Sequence, residues 1–269
     1  MIGRKRKKVF MQGIDVSVFQ GNIDWVKVKN DDVRFAVIKA TQGKRDSRLT
    51  GYLGSFTDST FVRNITGARA AGLDTSVYHY FTATSVSEAV KEADYFLKVI
   101  EPYKSKITSY AAVDVESEVW LKGMLPAVLA ECVDAFCQRV YARGFQPLVY
   151  TNPNYLCYKL PASFRQQHDI WLAHWGVSSP FHVPNMKMWQ YGAGRVDGIS
   201  VNVDLDVGYY EIRDVKPKYE VGGRYTIKVG DVYSNGKQVP SRLAGRTYEI
   251  LAVKPDMILL GGIVSWVKI

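Results

Sequence analysis

The sequence predicts an α/β fold: an irregular β/α barrel (TIM-like) followed by a small all-β module. Three observations predict it. Apolar strand-like runs alternate with amphipathic helical stretches, the pattern of β/α units around a parallel sheet. About eight such strands fall within roughly 200 residues, which suggests a closed barrel. Around Val215-Lys-Pro-Lys-Tyr219 the composition then shifts to short strands separated by glycine.

Gly13-Ile-Asp-Val-Ser17 reads as a first short strand ending at a polar mouth, and Asp24 opens a short helix with an acidic start. Arg34 to Thr41 is nearly continuous in apolar residues, as a strand buried on both faces requires. Residues 43–60 are polar and read as a long loop. A helix over Phe61 to Ala71 is stopped by Gly72. Thr75 to Phe81 is a third strand, and Ser85 with Glu88 is a capping-box signature before helical spacing from Ser87 to Ile100. Tyr110 to Glu116 is a fourth strand. A long amphipathic helix over Leu125 to Arg143 stops at Gly144, and Pro147 to Thr151 is a fifth strand. Ile170 to His174, Met186 to Gln190 and Ser200 to Asp204 read as three more, with too little chain between them for full helices, so the barrel is expected to be irregular there. Beyond the shift, Arg224 to Val229, Thr247 to Val253, Met257 to Leu260 and Val264 to Val267 are strands joined by turns at Gly230-Asp231, Asn235-Gly236 and Pro255-Asp256. The expected organisation is a basic tail over 1–10, the barrel domain over 11–213, a linker over 214–218 and the β module over 219–269.

The chain has 269 residues and a net charge of +9. The run Arg4-Lys-Arg-Lys-Lys8 carries +5, and residues 218–269 hold eight Lys/Arg against four Asp/Glu, which together account for the excess and leave the body about neutral. A neutral body argues against a dedicated nucleic-acid binder. No stretch is long enough to span a membrane. Cys132, Cys137 and Cys157 are odd in number and lack metal-ligand spacing. A disulfide or metal framework is therefore not expected, and a reducing compartment is. The basic N-terminus is not followed by an apolar segment of the kind a secretory signal needs.

The stretch that carries chemistry is Tyr110-Ala-Ala-Val-Asp-Val-Glu116. Side chains on a strand alternate, so Asp114 and Glu116 share one face at the strand's exit, opposite Val113 and Val115. Paired acids are what glycoside cleavage needs: one protonates the leaving oxygen and one manages the positive charge on the sugar. An isolated D-x-E is more often a solvated turn. Here, however, Asp15, Tyr78, Asp114, Glu116, Tyr150, Trp175, Gln190 and Asp204 all recur at the same relative position in successive strands, where a barrel gathers its site. The four histidines show no ligand spacing, and His79 reads as a satisfied barrel histidine.

Taken in order, Gly13-Ile-Asp15-Val-Ser17-x-x-Gln20-Gly21 with Asp24-Trp25, Phe35-Ala-Val-Ile-Lys-Ala-Thr41-x-Gly43, Val77-Tyr-His-Tyr-Phe81, Asp114-Val-Glu116, Val149-Tyr-Thr-Asn152, Trp171-Leu-Ala-His-Trp175, Trp189-Gln-Tyr191 and Val203-Asp-Leu-Asp206 resemble glycoside hydrolase family 25, the Chalaropsis-type lysozymes, which include many phage endolysins. The resemblance covers roughly residues 12–210. The tail, with Ile263-Val-Ser-Trp-Val267, resembles a bacterial SH3-type wall-binding domain. The family resemblance implies a flattened barrel and N-acetylmuramidase activity on peptidoglycan. It maps the general acid to Glu116, and Asp114, Asp15 and Asp204 to the family's other acidic positions. Tyr78, Tyr150, Asn152, Trp175 and Gln190 are the candidate substrate contacts at the strand ends, and no cofactor or metal is expected. Two departures stand out: Asp206 replaces a frequent Asn and is expected to add negative charge near the mouth, and His174-Trp175 replaces other pairs.

On this reading like charges at Asp15, Asp114 and Asp204 keep Glu116 protonated. Asp114 either holds the substrate's own acetamido group as it attacks, with retention, or activates water, with inversion. Alternatives are a chitinase-like hydrolase or glucosaminidase, and a non-catalytic wall-binding protein, against which the intact acids argue. The expected partners are peptidoglycan for the barrel and a wall polymer for the C-terminal module; monomer and homo-oligomer both stay open. The expected setting is synthesis in a bacterial host cytoplasm and action on the wall after holin-mediated release.

Overall fold

A computed structural model describes residues 10–44, 54–209, 221–254 and 257–268. The chain divides into two compact units with the boundary after residue 213. The basic run at 4–8, the Lys-Pro-Lys linker and the Pro255-Asp256 turn lie outside the described residues.

The larger unit is a closed barrel. Its strands are β1 (Met11–Val16), β2 (Phe35–Gln42), β4 (Asp74–Tyr80), β5 (Tyr110–Asp114), β6 (Gln146–Thr151), β7 (Ile170–Ala173), β8 (Met186–Gly194) and β9 (Val203–Gly208), with a two-residue β3 (Phe56–Thr57) added to the end of β2. Neighbouring strands from β1 through β2, β4, β5, β6, β7 to β8 are parallel. The last strand differs from the all-parallel expectation: β9 is antiparallel to both β8 and β1 and closes the ring between them. The connection from β8 to β9 holds no helix, so the chain turns straight back and β9 runs the other way. The strand expected over Ser200 to Asp204 accordingly begins three residues later and runs to Gly208. β3 falls inside the segment expected to be a loop.

Two layers of packing hold the barrel. Inside it, Phe35, Val37, Tyr110, Ala112, Leu148, Tyr150, Trp171 and Met188 form one apolar cluster, with Tyr78 against it. Gly13 belongs to this interior by lacking a side chain: a Cβ there would lie 2.1 Å from the Phe35 ring. Outside, α1 (Trp25–Asn30), α2 (Phe61–Ala70), α3 (Val86–Ile100) and α5 (Pro126–Ala142) turn apolar faces to the sheet, while α4 (Glu118–Leu121) and α6 (Phe164–Gln167) are single turns. Asp24 caps α1 by accepting the Lys27 N–H, and Ser85 caps α3 by accepting that of Glu88. The reciprocal half of the expected capping box is absent: the Glu88 carboxylate accepts from the Thr84 N–H and hydroxyl instead. Phe96 of α3 and Phe136 of α5 meet with ring centroids 5.6 Å apart, filling the space behind β4. Cys132 and Cys137, five apart, are both buried: the core-facing stripe of α5 is wide enough to take each at one edge.

The C-terminal unit is β-rich, as expected. Its strands β10 (Arg224–Thr226), β11 (Thr247–Lys254), β12 (Met257–Leu260) and β13 (Ser265–Lys268) form one antiparallel sheet in that order. Its own core holds Tyr225, Ile227, Val239, Ile250, Ile258, Leu260 and Val267. Among the described residues no helix is long and apolar enough to cross a membrane.

Candidate active site

Four acids reach one end of the barrel by two routes. β5 ends at Asp114, whose carbonyl accepts the Phe81 N–H at 2.9 Å. The Val115 N–H donates to the Tyr150 carbonyl at 2.9 Å, so the chain leaves in an extended course that carries Glu116 just past the strand. Across the ring Asp15 stands one residue from the end of β1, directly opposite Asp204 in the β1–β9 register. Asp204 arrives at the start of its strand and not at the C-terminal end expected of it, because β9 is reversed.

A hydrogen-bonded relay organises the Asp15 side. The Gln190 amide N–H donates to Asp15 at 2.8 Å, and its carbonyl accepts from the Tyr150 hydroxyl at 3.0 Å and from the Trp175 indole at 2.9 Å. An indole N–H can only donate, so the amide must face this way round. Asp15 is 8% exposed. Burial pushes its carboxyl up to about 7, and the Asp204 charge adds to that while Gln190 pulls the other way.

Burial is also the main cause at Asp114 and Glu116. Asp114 is held well above the usual carboxylate range by burial first, then by Glu116. Glu116 is raised by burial, with Tyr150 opposing and Asp204 adding. The expectation that like charges dominate at Glu116 is therefore corrected: desolvation leads. Each of the two acids thus favours the other's protonated form. Asp114 Oδ1 is buried and has no hydrogen-bond partner among the described residues.

The structure brings together most of the predicted site, but not all in the predicted roles. Trp175 is 50% exposed, and its neighbour His174 fixes the loop, accepting the Phe181 N–H on Nδ1 and the Trp189 indole on its carbonyl. The Trp175 ring is therefore half open to solvent. Tyr78 is partly buried, with its ring edge-on to Trp171 at 6.2 Å. Tyr150 is buried, packs on Trp171 at 4.5 Å, and its hydroxyl donates to Gln190 and lies beside Glu116, so it is part of the floor and not a stacking platform. Gln190 is 3% exposed and engaged at both ends, so it lies beneath the site. Asn152 is partly exposed and accepts the Tyr155 N–H at 3.1 Å, pinning the turn that follows β6. Asp206 is corrected as well: it is fully buried two residues below Asp204, not a charge at the mouth.

Sequence reasoning passed over Lys39 and Asp58. Lys39 lies two residues beyond Val37 on the inward face of β2. Its ammonium donates to Gln42 at 2.8 Å and lies 5.1 Å from the centre of the Tyr80 ring. Burial lowers its pKa, and Asp114 is the first acid that opposes the shift. A lysine inside an otherwise apolar strand was the available signal. Asp58 accepts the Val18 N–H at 2.9 Å and that of Thr60 at 2.8 Å, tying down the turn that follows β1. Among the described residues no cluster of His, Cys, Asp and Glu has metal-binding geometry. A cleft of 820 Å³ lies at the other end of the strands, around Ser109, Tyr110, Phe145 and Gln146, and no acid lines it.

Comparison with known proteins gives one consistent result. Residues 14–199 match the model of glycosyl hydrolases family 25, a span that stops short of Asp204 and Asp206. Lysozyme M1 of Streptomyces globisporus is 33% identical over 205 residues, covering 72% of this chain and 66% of that protein. The autolytic lysozyme of Clostridium acetobutylicum is 32% identical over 197 residues, covering 73% and 55%. The chain thus spans between about half and two thirds of these two relatives' length. Among solved structures, the bacterial lysozyme from Streptomyces coelicolor superposes with a TM-score of 0.60 at 28% identity, covering 74% of this chain and 92% of that one.

Proposed function

The chain belongs to glycosyl hydrolases family 25, and from that premise we propose that it is a lysozyme that cleaves the β-1,4 bond between N-acetylmuramic acid and N-acetylglucosamine in bacterial peptidoglycan. The observation that carries this reading is the pair of buried Asp114 and half-buried Glu116 at the barrel mouth, facing Asp15 and Asp204 across it. Glu116 is the more exposed member of the pair and the one whose proton a bound glycan can reach. It serves as the general acid that protonates the leaving oxygen, and as carboxylate it later activates water.

Asp114 serves the substrate's acetamido group. Its unsatisfied oxygen accepts the acetamido N–H once the side chain turns toward the mouth, which directs the amide carbonyl onto the anomeric carbon. That carbon–oxygen bond forms as the glycosidic bond breaks and Glu116 gives up its proton. Water then opens the cyclic intermediate with net retention. Asp15 and Asp204 supply negative potential to the oxocarbenium-like transition state, and Trp175 and Tyr78 contact the sugars. The C-terminal unit, with its own core, holds the enzyme on a wall polymer as an SH3-type domain would. Synthesis in a reducing host cytoplasm followed by release onto the wall is supported by the free thiols, Cys157 among them at the surface.

Digestion of peptidoglycan by the wild type and Glu116→Gln, with reducing-end analysis by mass spectrometry, tests the reading. New muramic acid reducing ends that vanish in the variant support it. Glucosamine ends would replace it with a glucosaminidase. An inverted first product would remove the acetamido route.

A further inference from the structure

Asp206 is an acid in a place that cannot hold a second charge. It is fully buried on the inward face of β9, opposite Gly13 on one side and Gln190 on the other. One oxygen, Oδ1, accepts the Trp171 indole N–H at 2.7 Å. The other, Oδ2, is buried and has no hydrogen-bond donor among the described residues. Its polar neighbour is Asp15, the diagonal partner across the β1–β9 ladder, where side chains two residues apart come within reach. Two facing carboxylates repel, and each is desolvated here.

One proton resolves the arrangement. We propose that Asp206 is a positioning residue that keeps its carboxyl proton and donates it, as a hydrogen bond, to Asp15, so that the negative charge of this pair rests on Asp15. The inference rests on the proposed role of Asp15 in the hydrolase site. Asp15 then receives two donors, the Gln190 amide at 2.8 Å and the Asp206 hydroxyl, and is clamped from two strands. Trp171 fixes which oxygen carries the hydrogen, because its indole can only donate and so occupies the acceptor side. Burial holds the Asp206 carboxyl well above the usual range, and the Asp15 and Asp204 charges push it further. The groups facing the pair are Asp204 on the same strand, Asp114 at the end of β5 and Glu116 beyond it, Tyr150 on β6 and Tyr78 on β4. No cation is among them.

A protonated carboxyl and a primary amide are near-isosteric, each with one acceptor and one donor face. Asp206→Asn therefore keeps the clamp, while Asp206→Leu fills the space without it. On peptidoglycan the Leu variant is expected to lose about ten- to a hundredfold in kcat/KM, the worth of one hydrogen bond to a charged group. The acid limb of its pH profile is expected to move to higher pH as Asp15 loses a donor. The Asn variant is expected to recover most of the activity with its limb where the wild type has it. A limb moved to lower pH in the Asn variant, as if a negative charge beside Asp15 had been removed, overturns the proposal, as does a wild-type profile in the Leu variant. A second readout needs no activity. With isotope-labelled aspartate, the wild type at neutral pH is expected to show a carboxylic-acid C=O infrared band that Asp206→Asn lacks. Identical spectra overturn the proposal whether or not the muramidase reading stands, and a lost band with no activity on any wall would fault that reading alone.

Discussion

Two sets of buried acids sit on either side of the barrel wall, and they are treated in opposite ways. Behind β4, Glu92 is 4% exposed and fully supplied. It accepts from His79 Nε2 at 2.9 Å and from the Thr82 N–H at 3.1 Å on one oxygen, and from the Thr82 hydroxyl at 2.6 Å on the other. His79 is bonded in turn to Thr41 at 2.7 Å. In front, Asp114 and Asp206 are as deeply buried, yet each keeps an oxygen with no partner among the described residues. An acid with donors on both oxygens stabilises the fold and has little left to give. An acid buried without donors costs stability, and a fold tolerates that where the proton or the empty acceptor is used. Depth of burial does not separate the two sets; supply of donors does.

The sharpest way to break this comparison is to swap the losses. Glu116→Gln is expected to lower kcat by about 10²- to 10⁴-fold, the usual worth of a general acid, with the unfolding midpoint unchanged or raised. Activity and denaturant unfolding on the same preparation check both halves. Glu92→Leu is expected to do the reverse. Stranding His79 without its hydrogen-bond partner should cost about 1–3 kcal/mol in unfolding free energy, while the folded fraction keeps its activity. A large activity loss in folded Glu92→Leu would mean that the two sets are not separate.

The same contrast explains what could be read from the sequence. Asp15, Asp114 and Glu116 were legible because the period of two and the β/α order place strand ends at one mouth. His79 was legible as a satisfied residue because nothing near it had ligand spacing. The direction of β9 was not legible, since alternation along a strand is the same in both directions. That is why Asp204 was expected at a strand's end and Asp206 at the mouth, when reversal puts Asp206 two residues deeper. Tyr150 and Trp175 are both aromatics near strand ends. Only the fold shows that Tyr150 points into the floor against Trp171 while Trp175 stands half out of it. Lys39 was visible as the one charge in the interior of an apolar strand, but pairing it with the acids required knowing which face is inward.

A milder probe uses pH alone. Asp15 has its pKa raised by burial from 3.8 to about 7, so between those values the folded protein binds a proton that the unfolded chain has released. Stability should therefore fall as pH rises through this window, by at most about 1.4 kcal/mol per pH unit from this group. Asp114, Glu116, Asp204 and Asp206 are raised too and add slope of the same sign. Unfolding measured from pH 4 to pH 8 is expected to show greatest stability at the acid end of that range, with a shallower slope in Asp15→Asn. A protein that grows more stable toward neutrality would show that the mouth acids are as well supplied as Glu92.

The smallest expected effect concerns the C-terminal unit, where charge is exposed and screening governs. Lys228, Lys237, Arg242 and Arg246 are all exposed there. If they hold the enzyme on an anionic wall polymer, retention of the full-length Glu116→Gln protein on purified walls should weaken several-fold as salt rises from about 0.01 M to about 1 M, over which the screening length falls from about 30 Å to 3 Å. The buried acids of the barrel are shielded from that change, so activity on a short soluble glycan should vary much less over the same range. Salt-independent retention would assign the attachment to uncharged contacts of the sheet, and an equal salt effect on the soluble substrate would place the screened charges at the mouth.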